Sequence, residues 1–200
     1  MLIGLTGMYC AGKNFVGSLL EARGLPVLDV DKLGYLVLED EKERIFAEFG
    51  DDLANKDGSL NRRLLGEKVF GSPGKLVLLE SIVHPPVNRL VDEWIAVRTG
   101  SCVINAALLH KSAVFNRLDR VILVTAPYLT RFVRAKRRDG LPFQAVFKRL
   151  GSQGKFNSQY LLSNAEIYRV ENPGLSGAKR LVKKLEEFID QSRNDRTINL

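Results

Sequence analysis

The chain has 200 residues, 45% hydrophobic and 26% charged, a balance that supports a sizeable globular core and excludes disordered, collagen-like and disulfide-scaffold chains. No apolar run reaches the ~18 residues a membrane span needs, and Met1 to Leu5 lacks a basic leader or cleavage site, so a cytoplasmic protein without membrane attachment is expected. Thirty Lys plus Arg against 23 Asp plus Glu give a net charge of +7, which favours an anionic partner: nucleic acid, lipid or a phosphorylated metabolite. Cys10 and Cys102 are far apart with no His pair nearby, which predicts reduced thiols and neither a zinc site nor a disulfide.

Short apolar runs at residues 2–5, 26–29, 102–105, 120–125 and 167–171 predict buried parallel strands. Helical patterns separate them. Residues 14–23 form one, bounded by Gly24; residues 178–189 form another, with Leu181, Val182, Leu185, Phe188 and Ile189 on one side and Lys183, Lys184, Glu186 and Glu187 on the other. The alternation predicts an α/β fold around a parallel sheet. The long helical stretch between the second and third strands exceeds a simple crossover and reads as a separate lobe. A second helical insertion follows the fourth strand, running from the basic residues Arg131, Arg134, Lys136, Arg137 and Arg138 to Leu150, and the polar residues 191–200 read as a frayed tail.

The first strand runs into Gly7-Met8-Tyr9-Cys10-Ala11-Gly12-Lys13-Asn14, which matches G-x-x-x-x-G-K-[ST] except for Asn14. Strand, loop and helix follow in the order the chemistry needs. Glycines let backbone N–H groups curl around phosphate oxygens, the helix N-terminus adds its dipole, and Lys13 reaches the β and γ phosphates. The alternative is a glycine-rich turn with an exposed lysine. A hydroxyl at position 14 would ligate Mg²⁺; the Asn14 carboxamide predicts a weaker ligand, acting directly, through water, or not at all.

At the end of the second strand come Asp29 and Asp31. Two acids near a γ-phosphate have two jobs, orienting an acceptor hydroxyl and holding Mg²⁺ through water. Alternation along a strand lets one of them point at the site. The alternative for Asp31 is a helix cap before Lys32.

At this point the chain resembles the dephospho-CoA kinase family of phosphate-loop kinases, almost end to end. The resemblance rests on Gly4-Leu5-Thr6-Gly7 leading to Gly12-Lys13, on Asp29-Val30-Asp31, on Leu60-Asn61-Arg62-Arg63, on Val69-Phe70, and on Leu79-Glu80-Ser81-Ile82-Val83-His84-Pro85. Leu108-Leu109, Arg138-Asp139-Gly140-Leu141, Arg149, Gln153 and Asn172 continue it. It implies a three-layer αβα phosphate-loop NTPase fold with a five-stranded parallel sheet. Residues 1–35, 100–129 and 165–200 would form the nucleotide-binding core, residues 36–99 a helical lobe for the coenzyme's body, and residues 130–164 a lid.

The implied activity is transfer of the ATP γ-phosphoryl group to the 3′-hydroxyl of dephospho-CoA, giving CoA and ADP, with Mg²⁺ accompanying ATP. Lys13, Asp31 and Arg138 are the expected catalytic residues. ATP would be held by Gly7, Tyr9, Cys10, Ala11, Gly12, Lys13, Asn14 and Phe15 with Arg134, Arg138 and Asn172, and dephospho-CoA by Asp31, Arg62, His84, Leu108 and Arg149. Asn14 is the expected weak Mg²⁺ ligand. Asp31 orients the hydroxyl rather than acting as a strong base, because the proton leaves late in a loose transition state. Arg131, Arg134 and Arg138 share a helical stripe suited to a closing lid, while Arg131, Lys136 and Arg137 taken singly read as a solvated face. His84 before Pro85 shapes a turn or touches substrate. No nucleic-acid or membrane partner is expected, and the chain should be a monomer or a weak homo-oligomer.

Two further departures accompany Asn14. Asn105-Ala106-Ala107 stands where the family usually has V-P or D-V-P before Leu108-Leu109, and the acid it has near Lys111 is missing, which suggests a link between Asn14 and Lys111. These departures keep two alternatives open: an impaired nucleotide-binding homologue, and a kinase for another nucleoside or nucleotide.

Overall fold

The structure is a computed structural model describing residues 1–151, 165–174 and 177–197; Gln153 and the end of the expected lid lie outside those residues. Five strands form one sheet: β1 (Leu2–Gly7), β2 (Val27–Asp29), β3 (Cys102–Asn105), β4 (Arg120–Thr125) and β5 (Glu166–Glu171), in the order β2-β3-β1-β4-β5. The registers are parallel, with Leu5 opposite Asn105 on one side of β1 and Ile122 on the other. All five apolar runs are strands; the inner three, β1, β3 and β4, bury residues on both faces, Val, Ile and Leu among them, while β2 and β5 lie at the sheet edges and are less buried. Eight helices are described: α1 (Lys13–Glu21), α2 (Val30–Asp40), α3 (Lys42–Phe49), α4 (Arg62–Val69), α5 (Pro73–Ala96), α6 (Tyr128–Asp139), α7 (Phe143–Gly151) and α8 (Ala178–Thr197).

The chain divides into two compact units, residues 1–28 with 98–200, and residues 29–97. In the first, Ile3 and Leu5 of β1 pack with Val16 and Leu20 of α1 and with Leu181, Leu185 and Phe188 of α8. Helix α8 continues to Thr197, so part of the expected tail is helical; residues 191–197 contain neither Gly nor Pro, and nothing there breaks the pattern. On the opposite face of β1, Gly4 leaves room for two leucines. A Cβ there would stand 2.5 Å from Leu109 and 2.8 Å from Leu118 side-chain carbons.

The second unit is helical, with Ile45, Phe46, Leu53, Leu65 and Ile82 among its buried residues. Its first helix starts earlier than a cap at Asp31 predicts. Asp29 is the N-cap, its Oδ1 accepting from the Lys32 N–H at 3.1 Å, and Asp31 lies in the first turn. Asp31 is therefore neither the cap nor a strand residue, and strand alternation does not set its direction. The same device starts α4, where Asn61 Oδ1 accepts from Leu64 N–H at 3.0 Å.

No turn forms at His84-Pro85. Both Pro85 and Pro86 lie inside the 24-residue α5, with His84 on its exposed side. Prolines remove two helical donors, yet buried Ile82, Val87 and Val91 lie on both sides of the pair and hold the helix through it.

Parallel strands share a carboxyl edge, so Gly7, Asn105, Thr125 and Glu171 end together. A Cβ on Gly7 would meet the Val124 carbonyl oxygen at 2.9 Å and Val124 Cβ at 3.0 Å. Gly4→Ala faces movable side-chain tips and should cost about 1–3 kcal/mol. Gly7→Ala faces backbone and should cost more. Urea unfolding of the two variants measures the difference, and equal losses would contradict this packing.

Candidate active site

The segment between β1 and α1 is bent by two left-handed residues, Cys10 at φ 59° and Gly12 at φ 89°. The Ala11 N–H donates to the Met8 carbonyl at 2.9 Å, and the Met8 N–H anchors the turn to Val124 at 3.2 Å. Asn172, 4% exposed, donates its amide to the Ala11 carbonyl at 2.9 Å and stands where a Cβ on Gly12 would be. Arg134 donates to the same carbonyl at 3.0 Å, to the Cys10 carbonyl at 3.4 Å and to Asn172 Oδ1 at 3.2 Å. In a planar trans peptide the N–H points opposite to the C=O. Tying the Ala11 carbonyl to Asn172 and Arg134 therefore turns the Gly12 N–H the other way, beside the N-terminus of α1. That is an anion-binding concavity. Asn172 and Arg134 shape it from behind.

Lys13, the first residue of α1, donates from Nζ to Asn14 Oδ1 and to Asn105 Oδ1, each at 3.0 Å, and Asn105 Nδ2 donates to Asn14 Oδ1 at 3.1 Å. The departure that meets Asn14 is thus Asn105 rather than Lys111. Lys111 stands in a short 3-10 turn beside His110, whose pKa is lowered by burial and then by this lysine. The triangle also tests the Mg²⁺ expected of the family. The Asn14 oxygen spends both lone pairs on N–H donors, one of them an ammonium, and Asn105 turns an amide N–H₂ toward it. Mg²⁺ takes six oxygen ligands at short range. The donor set at Asn14 and Asn105 does not fit that ion.

The basic stripe of α6 divides into three tasks. Arg134 braces the loop. Arg138 lies over the Tyr9 ring, 5.0 Å from its centroid, and bonds Asp139 at 2.7 Å. Asp139 also accepts from the Tyr9 hydroxyl and from Arg149 at 3.4 Å. The Arg138 hydrogen bond is the largest cause holding the Asp139 carboxyl below the ordinary carboxylate range, and that bond in turn raises Arg138. Burial first, and the Asp139 bond second, push Tyr9 up; burial raises Cys10.

Arg131 does not lie on a solvated face. It is 6% exposed, its guanidinium 5.8 Å from the Tyr128 ring centre, and its Nε and Nη1 find no acceptor among the described residues. Lys136 is also engaged, donating to the Leu141 carbonyl at 2.8 Å and lying 4.6 Å from the Phe143 ring centre. Only Arg137 of these three is exposed. The amphipathic period of α6 explains the difference, since Arg131 shares the face of buried Ala135.

Of the other expected site residues in this unit, Phe15 is 49% exposed on α1, and Leu108 is 56% exposed beside fully buried Leu109. In the second unit, Arg62 lies 4.8 Å over the Tyr35 ring and lines a groove of ≈ 620 Å³ with Leu38, Leu65, Phe70 and Leu79. Sequence reasoning gave no role to Asp139 and none to Asn105 as a partner of Lys13. The first was signalled only by an acid ending a basic run, the second only by its departure from D-V-P.

The profile of the family described as dephospho-CoA kinase matches residues 1–172. A curated dephospho-CoA kinase of Dehalococcoides mccartyi is 34% identical over 79% of this chain and 83% of its own. A solved structure from Thermus thermophilus superposes with a TM-score of 0.80 at 30% identity, covering 94% of this chain and 95% of the other. The dephospho-CoA kinase of Campylobacter jejuni, 22% identical, shares the fold with a TM-score of 0.69 over 97% of this chain and 98% of its own. The α/β fold is that of the phosphate-loop kinases.

The Tyr9–Asp139 network generates a pH prediction. Because the folded carboxyl titrates below its unfolded value, its contribution is present above about pH 4 and is lost as pH falls through the lower folded pKa. Arg138 and Arg149 side chains are 60% and 56% exposed, so Asp139→Asn should cost only about 1 kcal/mol at pH 7. Denaturant unfolding should show that gap closing below about pH 4. A gap unchanged in acid would refute the charge-assisted latch.

Proposed function

The chain belongs to the dephospho-CoA kinase family, and from that membership we propose that it moves the γ-phosphoryl group of ATP to the 3′-hydroxyl of dephospho-CoA. The observation that carries the reading is the loop at Cys10 to Lys13, whose carbonyls are held back by Asn172 and Arg134 while a lysine opens the following helix. A bond forms between the ribose 3′-oxygen and the γ-phosphorus, and the bond from that phosphorus to the β,γ-bridging oxygen breaks. ADP leaves with that electron pair.

The loop amides and Lys13 bind the β and γ phosphates. Lys13 and Arg138 offset charge on the transferring oxygens, and Arg138 exchanges Asp139 for phosphate as it does so. Asp31 orients the 3′-hydroxyl and accepts its proton as the new bond forms. Tyr9, Cys10, Ala11, Gly12, Asn14 and Phe15 surround the nucleotide. Arg134 and Asn172 serve ATP by keeping the loop in shape.

Residues 36–99 receive the coenzyme's body, and the Arg62 groove, with an apolar wall and one guanidinium, suits a long chain carrying phosphate. His84, Leu108 and Arg149 complete the substrate contacts, and residues 130–164 act as lid. Mg²⁺ would accompany ATP and offset phosphate charge, and the amides of Asn14 and Asn105 would not hold it. The protein works in the cytoplasm as a monomer or weak homo-oligomer without nucleic-acid or membrane partners; no helix among the described residues is long and apolar enough to cross a membrane.

The test is incubation with ATP, MgCl₂ and dephospho-CoA, following ADP and CoA together. Asp31→Asn should lower kcat by roughly 10²–10⁴-fold. Arg62→Ala should raise KM for dephospho-CoA at nearly constant kcat, the mark of lost uniform binding. ATP binding without CoA formation would favour a nucleotide-binding homologue without turnover, a second reading that the amide pair at Asn14 and Asn105 keeps open. ADP formation with a nucleoside acceptor alone would reassign the substrate.

A further inference from the structure

We propose that Tyr9 is a positioning residue for phosphoryl transfer: its ring is the platform on which the Arg138 guanidinium lies, and its hydroxyl holds the neighbouring Asp139, so that the phosphate loop itself carries the arginine that meets the transferring group. The inference deepens the kinase reading and rests on its assignment of Arg138.

Arg138 and Asp139 are consecutive residues at the end of α6, and consecutive helical side chains diverge by about 100°. A single tyrosine engages both. Arg138 lies 5.0 Å from the Tyr9 ring centre, while the Tyr9 hydroxyl donates to Asp139 Oδ2. Asp139 in turn accepts from Arg138 Nε at 2.7 Å and from its Nη2 at 3.4 Å, so one edge of the guanidinium is aligned as well as one face. Edge and face together fix the plane of the group, although the Arg138 side chain is 60% exposed.

The platform is fixed to the loop. On one side of Tyr9 the Met8 N–H donates to the Val124 carbonyl at 3.2 Å, and on the other Cys10 is left-handed at φ 59° with its carbonyl bonded by Arg134 at 3.4 Å. The Ala11 N–H closes the turn onto the Met8 carbonyl at 2.9 Å. The ring itself packs against the buried cluster of Ala135, Val146 and Leu150. Tyr9 therefore ties α6 and α7 to the loop that receives phosphate.

The two kinds of contact fare differently at the transfer step. A ring face attracts a guanidinium without using any of its N–H donors. When the edge N–H groups turn from Asp139 to phosphate oxygens, the face contact persists, and Asp139 keeps the Tyr9 hydroxyl and Arg149 as partners. Burial first, and the Asp139 bond second, raise the Tyr9 pKa above that of an ordinary phenol, so the hydroxyl remains a donor at neutral pH. An aliphatic side chain at position 9 would leave Arg138 to swing on its own long stem, at a cost in orientation.

Initial rates of CoA formation test the inference on the wild-type chain, Y9L, Y9F, R138A and Y9L/R138A, each with a thermal melt. Y9L should lower kcat about 10-fold or more, with the KM for ATP within about threefold. Y9F, which restores the ring, should recover most of that loss. In the double variant kcat should match that of R138A within about twofold, because Tyr9 acts through Arg138. Losses that multiply in the double variant overturn the inference, as does a KM for ATP raised by Y9L at unchanged kcat, the mark of direct contact with the nucleotide.

Should Y9L fail to fold, nuclear magnetic resonance of the Arg138 side chain in the wild-type chain, assigned by its loss in R138K, still decides. Its Hδ and Nε–H signals should be shifted upfield by the Tyr9 ring and stay shifted when ATP is added; signals that return to ordinary arginine positions would refute the platform. CoA formation with multiplying losses removes this inference and keeps the kinase; no CoA formation with upfield signals retained under ATP does the reverse.

Discussion

The candidate nucleotide site depends on where one carbonyl points. Ala11 C=O receives hydrogen bonds from Asn172 and Arg134, and the peptide's planarity then commits the following N–H to the loop's other side. Those two donors come from the end of β5 and from α6, far apart in sequence. The parallel sheet brings them together because β1, β4 and β5 are neighbours with their carboxyl ends on one edge. Moving β5 by one residue would carry Asn172 off Ala11.

The same edge explains how excess positive charge is used. Arg134 is spent on the loop backbone, Arg138 and Arg149 on Asp139, and Arg131 lies in the interior. These arginines are separately placed groups rather than a diffuse basic surface. Asp139 engages two of them, Arg138 and Arg149, in one charge-assisted cluster.

Elements written in local sequence were readable before the structure. Strands β1, β3 and β4 are runs of largely buried apolar residues, and the loop's glycines and lysine stand at the spacing its chemistry needs. Where tertiary partners decide, reading failed. Asp29 rather than Asp31 caps α2, because the helix started earlier than Lys32. Of the two roles open for His84, shaping a turn or touching substrate, the turn does not form, because packing of Ile82, Val87 and Val91 carries the helix through Pro85 and Pro86. Arg131 taken singly reads as part of a solvated face, yet it is 6% exposed and lies near the Tyr128 ring. Asn14 was legible as a departure, but its partner was not, since Asn105 is brought beside it only by the pairing of β1 with β3.

Pro85 and Pro86 have a dynamic consequence for α5. A helix normally opens from its ends, because every interior amide is locked to the carbonyl one turn before it. Here the carbonyls of Ser81 and Ile82 face residues that carry no N–H, so two rungs are missing near the middle of the 24-residue helix. The ladder is divided into an N-terminal and a C-terminal segment that unzip independently. Amide exchange along α5 should accordingly show two protected stretches separated by a permeable waist, with His84 at its upper lip.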